Sequence, residues 1–219
     1  MNDKLNYFMC GFLLSGVAMG CGSDSDGSHE SREIAASDLQ RSLEIEEGQW
    51  IKSRIVYEDG SHDEITLRAQ EKEGEYRWFD VHQVSSAYGN LDLRILGTPG
   101  TVEDPVGQIA EIEADVDTGD AFTDEFLRDY LTRNAATQIM SLMARQSFSA
   151  MEREEAPIVV PAGTFFGCYK RDESLVQDNG ERAFLTTVWR HPAVPFSGVV
   201  LATDAEQSYR QELVDFGTE

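Results

Sequence analysis

The sequence predicts an α+β domain in which an antiparallel sheet is covered on one face by one long helix. Three observations lead to this prediction. Short segments before residue 97 alternate apolar and polar side chains, as half-buried strands do. Residues 122–151 instead repeat apolar side chains at helical spacing. Strand-like segments resume after Pro157, so the order of elements is strands, helix, strands.

Length and charge limit the classes of function. The 219 residues, of which 41% are hydrophobic, suffice for one globular domain with a core. The formal net charge of -22 argues against nucleic acid as a partner, because phosphate binding needs a basic face. It also opposes contact with an anionic membrane surface, so attachment to a bilayer needs a lipid or another anchor.

The first 20 residues have the organisation of an export signal. A short polar start is followed by the apolar run Tyr7–Met19. This run is shorter than the about 20 residues that span a bilayer, and it has the length of a signal-peptide core. The small residues Ala18 and Gly20 stand directly before Cys21.

This arrangement resembles the lipobox of bacterial lipoprotein precursors. The resemblance implies cleavage after Gly20, acylation of the Cys21 sulfur and anchoring in a lipid bilayer. An ordinary signal peptide cleaved near Gly20, which leaves Cys21 free, is the alternative. Residues 22–28 are Gly, Ser and Asp, as in a flexible spacer. Neither of the two residues after Cys21 is Asp, which by resemblance to enteric bacteria favours the outer membrane, on its periplasmic face or at the surface.

The chain is therefore expected to have three parts. Residues 1–20 form the signal peptide, residues 21–47 the lipidated cysteine with an acidic tether, and residues 48–219 one α+β domain. The expected location is the cell envelope.

Period-two patterns predict the strands before the helix. Aromatic and β-branched residues fill the first of them, and Asp59-Gly60 follows as a hairpin signal. Asn90–Leu96 gives the clearest alternation of polar and apolar side chains. The predicted strands cover 49–57, 65–69, 76–81 and 90–96, whereas 109–116 is ambiguous between strand and loop.

One long helix is predicted between Thr123 and Met151. Thr123 suits the N-cap, and Asp124 and Glu125 suit the first turn. Its apolar stripe is expected to pack on the sheet, with a ligand-binding face as the alternative. The stripe consists of Phe122, Phe126, Leu127, Tyr130, Leu131, Ile139, Leu142, Met143 and Ala144.

The last third of the chain carries the most specific local pattern. Val160–Phe165 reads Val-Pro-Ala-Gly-Thr-Phe, and Cys168, Trp189, Pro195 and Gly198-Val199-Val200 follow. This pattern resembles a module of exported bacterial proteins of the lipoprotein-carrier type (LolA/LolB-like). The resemblance implies a curved antiparallel sheet, a half-open barrel, whose concave face is covered by the long helix and can hold acyl chains. Resemblance of fold transfers no binding residues. Strands are predicted at 158–160, 164–170, 182–190, 197–203 and 209–216.

No catalytic constellation stands out among the reactive side chains. Asp80 and His82 share one face of a strand and are expected to form a surface hydrogen-bonded pair, with metal binding as the alternative. No zinc-type spacing occurs among His29, His62, His82, His191 and the cysteines. Asp115, Asp117 and Asp120 only weakly resemble a calcium loop. Cys168, the cysteine left in the mature domain, is expected to be buried.

These observations predict a non-catalytic protein without metal or cofactor. The first hypothesis is a membrane-anchored lipoprotein that binds or carries a hydrophobic ligand or a partner protein of the envelope. The alternative is a structural, envelope-assembly lipoprotein whose sheet is filled by its helix and which holds no small molecule. An apolar cavity of about 300 Å³ or more would favour the carrier.

Overall fold

The computed structural model describes residues 32–36, 45–86, 89–100, 107–117, 151–176, 182–204 and 208–219, together with residues 132, 133, 136, 139, 140, 143 and 148. The expected signal peptide, Gly20 and Cys21 lie outside these residues. The described strands are β1 (Glu33–Ile34), β2 (Gln49–Tyr57), β3 (His62–Glu73), β4 (Tyr76–Ser85), β5 (Gly89–Thr98), β6 (Gln108–Asp117), β7 (Glu152–Arg153), β8 (Ile158–Val160), β9 (Gly163–Phe165), β10 (Tyr169–Val176), β11 (Arg182–Arg190), β12 (Val199–Asp204) and β13 (Tyr209–Thr218).

Ten of these strands form one antiparallel sheet. Its order is β6-β5-β4-β3-β2-β13-β12-β11-β10-β7. Chain neighbours pair as successive hairpins within β2–β6 and within β10–β13, so the sheet consists of two meanders. The pairing of β2 with β13 joins the two meanders into one sheet.

A second, three-stranded sheet has the order β1-β9-β8. β8 and β9 form a tight antiparallel hairpin, whereas β1 pairs with β9 in parallel. β1 lies within the segment that the sequence assigns to the tether.

Alternation along the strands divides the large sheet into an apolar and a polar face. The apolar face of β2–β5 forms the main core, which also contains Phe196 and four residues from the 132–148 segment. A second core lies between the small sheet and β12–β13, where Ile34 and Phe165 pack against Val200, Leu213 and Phe216. The main core consists of Ile55, Ile65, Leu67, Ala69, Phe79, Val81, Leu93, Ile95, Ala136, Ile139, Met140, Met143 and Phe196.

The predicted α+β class with one long covering helix is wrong. The described chain is mostly β, and no helix is among its elements. The physical reason is that period-two patterns along the chain supply a ten-stranded sheet, and part of its apolar surface is covered by the small sheet β1-β9-β8. Among the described residues, α-helical backbone occurs only at positions 132, 133, 136, 139 and 140. Much of the predicted stripe, Leu131 included, lies outside the described residues.

The strand predictions are confirmed more closely. The predicted segments are covered by β2, β3, β4, β5, β8, β11 and β13, and the ambiguous segment 109–116 falls within β6. The segment predicted at 197–203 is only partly a strand, because β12 begins at Val199. The predicted strand 164–170 is interrupted, because β9 ends at Phe165 and β10 begins at Tyr169. In the part of the chain that the structure describes, no helix has the length and apolar character needed to cross a membrane.

Candidate binding groove

A groove of about 590 Å³ lies on the polar face of the sheet. It follows four neighbouring strands, β3 to β6, on the face opposite the main core. Its side chains are charged or polar at nearly every outward position. The lining residues are Thr66, Arg68, Gln70, Asp80, Val81, His82, Asp92, Leu93, Arg94, Glu113, Ala114 and Asp115.

The register of the four strands arranges the groove in two rows of directly opposed residues. The first row, which we call the acidic row, is Thr66, His82, Asp92 and Asp115. The second row, the alternating row, is Arg68, Asp80, Arg94 and Glu113. Because side chains in a strand alternate between faces, both rows project on the polar side.

The alternating row is held by ion pairs and hydrogen bonds. The Arg94 guanidinium lies 3.0 Å from Glu71 and 3.5 Å from Asp80, and it stacks 4.6 Å from the ring centre of Trp78. Arg68 donates to Glu219 at 2.6 Å. These side chains are partly exposed, so the pairs orient the arginines and add little stability.

The acidic row has an excess of negative charge. His82 Nδ1 lies 2.5 Å from Asp92 Oδ1, but Asp92 also stands directly opposite Asp115 on β6. Like charges opposite one another across two strands repel. Asp115, and Glu113 of the adjacent alternating row, have no hydrogen-bond or ion-pair partner among the described residues. This end of the groove therefore favours a cationic group.

The expected pair of Asp80 and His82 has a different arrangement. Both side chains lie on the polar face of β4, but His82 pairs with Asp92, and Asp80 pairs with Gln70 and Arg94. The sequence indicated that Asp92 and Arg94 would share one face. It did not indicate their partners, because that requires the register of β4 against β5.

The structure describes no group of three or more side chains that could hold a metal ion. His62 is exposed at the start of β3, and His191 is fully buried. Asp115 is exposed, and Asp120 and His29 lie outside the described residues.

The expected burial of Cys168 is confirmed, since its side chain is fully buried. Burial, and to a lesser extent the charge of Glu154, raise the pKa of the Cys168 thiol to about 12. Cys168 does not line the groove; it belongs to the second core.

Comparison with known proteins gives no relative for this chain: no protein-family model, no curated protein and no solved structure matches it.

Proposed function

We propose that this chain is a non-catalytic lipoprotein of the bacterial cell envelope, anchored through Cys21, that binds a cationic segment of a partner protein in the groove of β3–β6. The observation that carries the binding proposal is the acidic row. It places Asp115 opposite Asp92 and leaves Asp115 without a partner among the described residues, and Glu113 of the adjacent alternating row also has no partner there.

The packing of the two sheet faces favours a polar partner over a hydrophobic ligand. The apolar face of β2–β5 is packed by side chains of the same chain, among them Phe196, Ile139 and Met140. The groove on the opposite face is lined by carboxylates, arginines and a histidine. A cationic peptide would find ion-pair partners there, whereas an acyl chain would bury charged groups without compensation.

The charge of the whole chain supports a cationic partner as well. A net charge of -22 raises the local concentration of cations and speeds their association. The separate carboxylates of the groove then provide the short-range contacts that give specificity.

The anchor is supported by the sequence around Cys21. The signal-peptide core ends at Gly20, and a polar spacer follows Cys21. Each buried methylene of an acyl chain contributes about 0.8 kcal/mol, so several chains hold a protein stably in a bilayer.

The anchor is tested by Cys21→Ser in the full-length protein. We expect the parent to partition into detergent and to show the mass of an acylated chain that begins at Cys21. The variant is expected to partition into the aqueous phase. Equal partitioning of both proteins into detergent would show that Cys21 is not the anchor.

The groove is tested with a fluorescent hexalysine peptide at 150 mM NaCl. The double variant Glu113→Gln/Asp115→Asn is expected to weaken binding several-fold. A matched control, Glu58→Gln/Glu155→Gln, removes the same charge at exposed positions outside the groove and is expected to bind as the parent does. Equal losses in both variants would indicate long-range attraction only and would contradict a site in the groove.

A structural, envelope-assembly lipoprotein without a ligand is the second candidate. It is favoured by the filled apolar face, which leaves the main core closed by the chain's own side chains. Native mass spectrometry of gently extracted protein separates the alternatives. A co-purifying lipid would favour carriage of a hydrophobic ligand, and an acylated chain alone, combined with no binding of the hexalysine peptide, would favour the structural role.

A further inference from the structure

The open edge of β9 is occupied by the N-terminal segment 32–36, which docks there as a strand. Thr164 N donates to Arg32 O at 2.8 Å, and Phe166 N donates to Ile34 O at 3.0 Å. The two strands run in parallel, with Ile34 in register with Phe165. Main-chain bonds of this kind are how an extended peptide adds a strand to an existing sheet.

Two side chains of the docked segment, Arg32 and Ile34, contact the rest of the domain. Ile34 is 8% exposed and packs in the second core together with Phe165 and Phe216. The Arg32 guanidinium lies 4.4 Å from the ring centre of Phe216, and its Nη1 donates to Phe216 O at 3.5 Å. The contacts select a basic residue followed, two positions later, by a branched aliphatic residue.

Two glycines make room for the docked backbone. A Cβ at Gly163 would lie 2.2 Å from Arg32 O, and one at Gly167 would lie 2.8 Å from Ala36 Cβ. Both glycines have positive φ, 137° at Gly163 and 70° at Gly167. The sequence Val-Pro-Ala-Gly-Thr-Phe-Phe-Gly therefore folds into a receptor for the segment as well as a hairpin.

The resident segment is short in comparison with the site that receives it. β1 has two residues, and Ile34 is its buried side chain while Glu33 is exposed. A strand held by so few contacts exchanges more readily than the long strands of the large sheet.

We propose that the edge of β9, with Phe216 and the Ile34 pocket, is a binding site for extended peptides of the pattern Arg-x-Ile followed by small residues, and that residues 32–36 are its exchangeable resident. The ligand is a partner segment of that pattern, which takes the parallel register and the main-chain bonds of β1. This site is separate from the groove on β3–β6, so a test of it is independent of the proposed function.

The test uses a labelled peptide with the sequence of residues 31–37, Ser-Arg-Glu-Ile-Ala-Ala-Ser. The protein is the full-length variant Ile34→Asp, which frees the site by placing a charge on the resident's buried position. We expect this variant to bind the peptide at least about ten-fold more tightly than the parent, because the tethered resident competes at a high effective concentration.

Peptide variants serve as controls that leave the protein's fold unchanged. A peptide with Ile replaced by Asp is expected to bind at least about ten-fold more weakly, because it would place a charge in an apolar pocket. A peptide with Arg replaced by Gln should bind several-fold more weakly, through loss of the contact with Phe216. A photoreactive group at the Ile position should cross-link within residues 160–168.

Three outcomes would overturn the proposal. They are an absence of binding to folded Ile34→Asp protein, equal binding of the native peptide and the peptide with Ile replaced by Asp, and equal binding by the parent and the variant. Circular dichroism of Ile34→Asp tests whether its sheet is intact. If the sheet is not intact, Ile34→Ala, which leaves the pocket empty without burying a charge, replaces it in the same comparison.

Discussion

Cys168 and His191 are fully buried titratable side chains, and burial favours the neutral form of each. It raises the pKa of the thiol and lowers the pKa of the imidazole. Neither side chain lines the charged groove. Their protonation is therefore expected to affect thiol reactivity and the free energy of unfolding. Each residue gives one prediction.

The first prediction concerns the reactivity of Cys168. The thiolate is the reacting form, and a pKa of about 12 keeps the thiol protonated near neutral pH. In a Cys10→Ser/Cys21→Ser protein, we expect slow labelling by Ellman's reagent at pH 8 and fast labelling in urea. Labelling of the native protein at the rate of a free thiol would contradict the burial of Cys168.

The second prediction concerns acid sensitivity. Burial lowers the pKa of His191, and the backbone of Phe166 and Ala35 offsets part of this effect. Nε2 of His191 has no hydrogen-bond partner in the part of the chain that the structure describes. The unfolded chain therefore binds the proton more readily, and stability is complete above the unfolded pKa of about 6.5 and falls below it.

Urea unfolding at pH 7.5, 6.5 and 5.5 measures this effect. His191 alone contributes a loss of at most about 1.4 kcal/mol for each pH unit below its unfolded pKa. A His191→Gln protein is expected to be less stable at pH 7.5 but to have a flatter pH dependence. The same slope in both proteins would assign the acid sensitivity to other groups.

At the scale of elements, β10 and β11 are joined by an ion pair at the edge of the core. Arg190 is 4% exposed and donates to both carboxylate oxygens of Glu173, at 2.6 and 3.1 Å. Arg171 also contacts Glu173, at 2.8 Å. Burial would raise the pKa of Glu173, but bonds and charge attraction from Arg190 and Arg171 more than offset it, so that this pKa is lowered.

Removal of one partner of the pair Glu173 and Arg190 should lower the free energy of unfolding. We expect Glu173→Leu to lower the free energy of unfolding by about 3–5 kcal/mol, because it leaves Arg190 charged and buried. The double variant Glu173→Leu/Arg190→Met should recover much of that loss. A control, Glu219→Gln, breaks the exposed pair with Arg68 and should change stability by less than about 1 kcal/mol. A double variant no more stable than Glu173→Leu would contradict this account.

Elements with a strong local signal were predictable from sequence. Alternation gave the strand of Leu91, Leu93 and Ile95, and Asp59-Gly60 gave the turn between β2 and β3. β1 was not predictable, because two residues carry no period and its pairing with β9 depends on Gly163 and Gly167, far along the chain. The prediction of fold class was wrong because a helix covering the whole sheet was inferred from the apolar periodicity of one segment, residues 122–151.

At the scale of the molecule, the sheet is completed by a contact between distant parts of the sequence. β2 pairs with β13 over nine residue pairs, from Tyr57 with Tyr209 to Gln49 with Thr218. Hairpin signals predict which neighbours in sequence pair, but no local pattern specifies this pairing. The charged groove lies within one meander of successive hairpins, so its strands are neighbours in sequence, but its two rows also require the exact register of four strands, which the hairpin signals do not specify.

The net charge of -22 determines how the whole molecule should respond to salt. Excess carboxylates repel one another more in the compact state than in the unfolded chain. Salt screens exposed charges over a Debye length of about 10 Å at 0.1 M. It also weakens exposed ion pairs such as Lys52 with Glu64, but these contribute only about 0–1 kcal/mol each. The relief of repulsion should therefore dominate.

We accordingly expect the melting temperature to rise by a few degrees between 20 and 300 mM NaCl. A gain of about 1 kcal/mol corresponds to about 2–4 °C for a domain of this size. The groove variant Glu113→Gln/Asp115→Asn should be more stable than the parent at 20 mM and gain less from salt, because it removes one carboxylate of the opposed pair Asp92 and Asp115 together with the nearby carboxylate of Glu113. The control Glu58→Gln/Glu155→Gln separates this local effect from the change in net charge. A melting temperature that falls with salt would mean that ion pairs across the polar face outweigh the repulsion, and the acidic row would then have no unbalanced charge to offer a cationic partner.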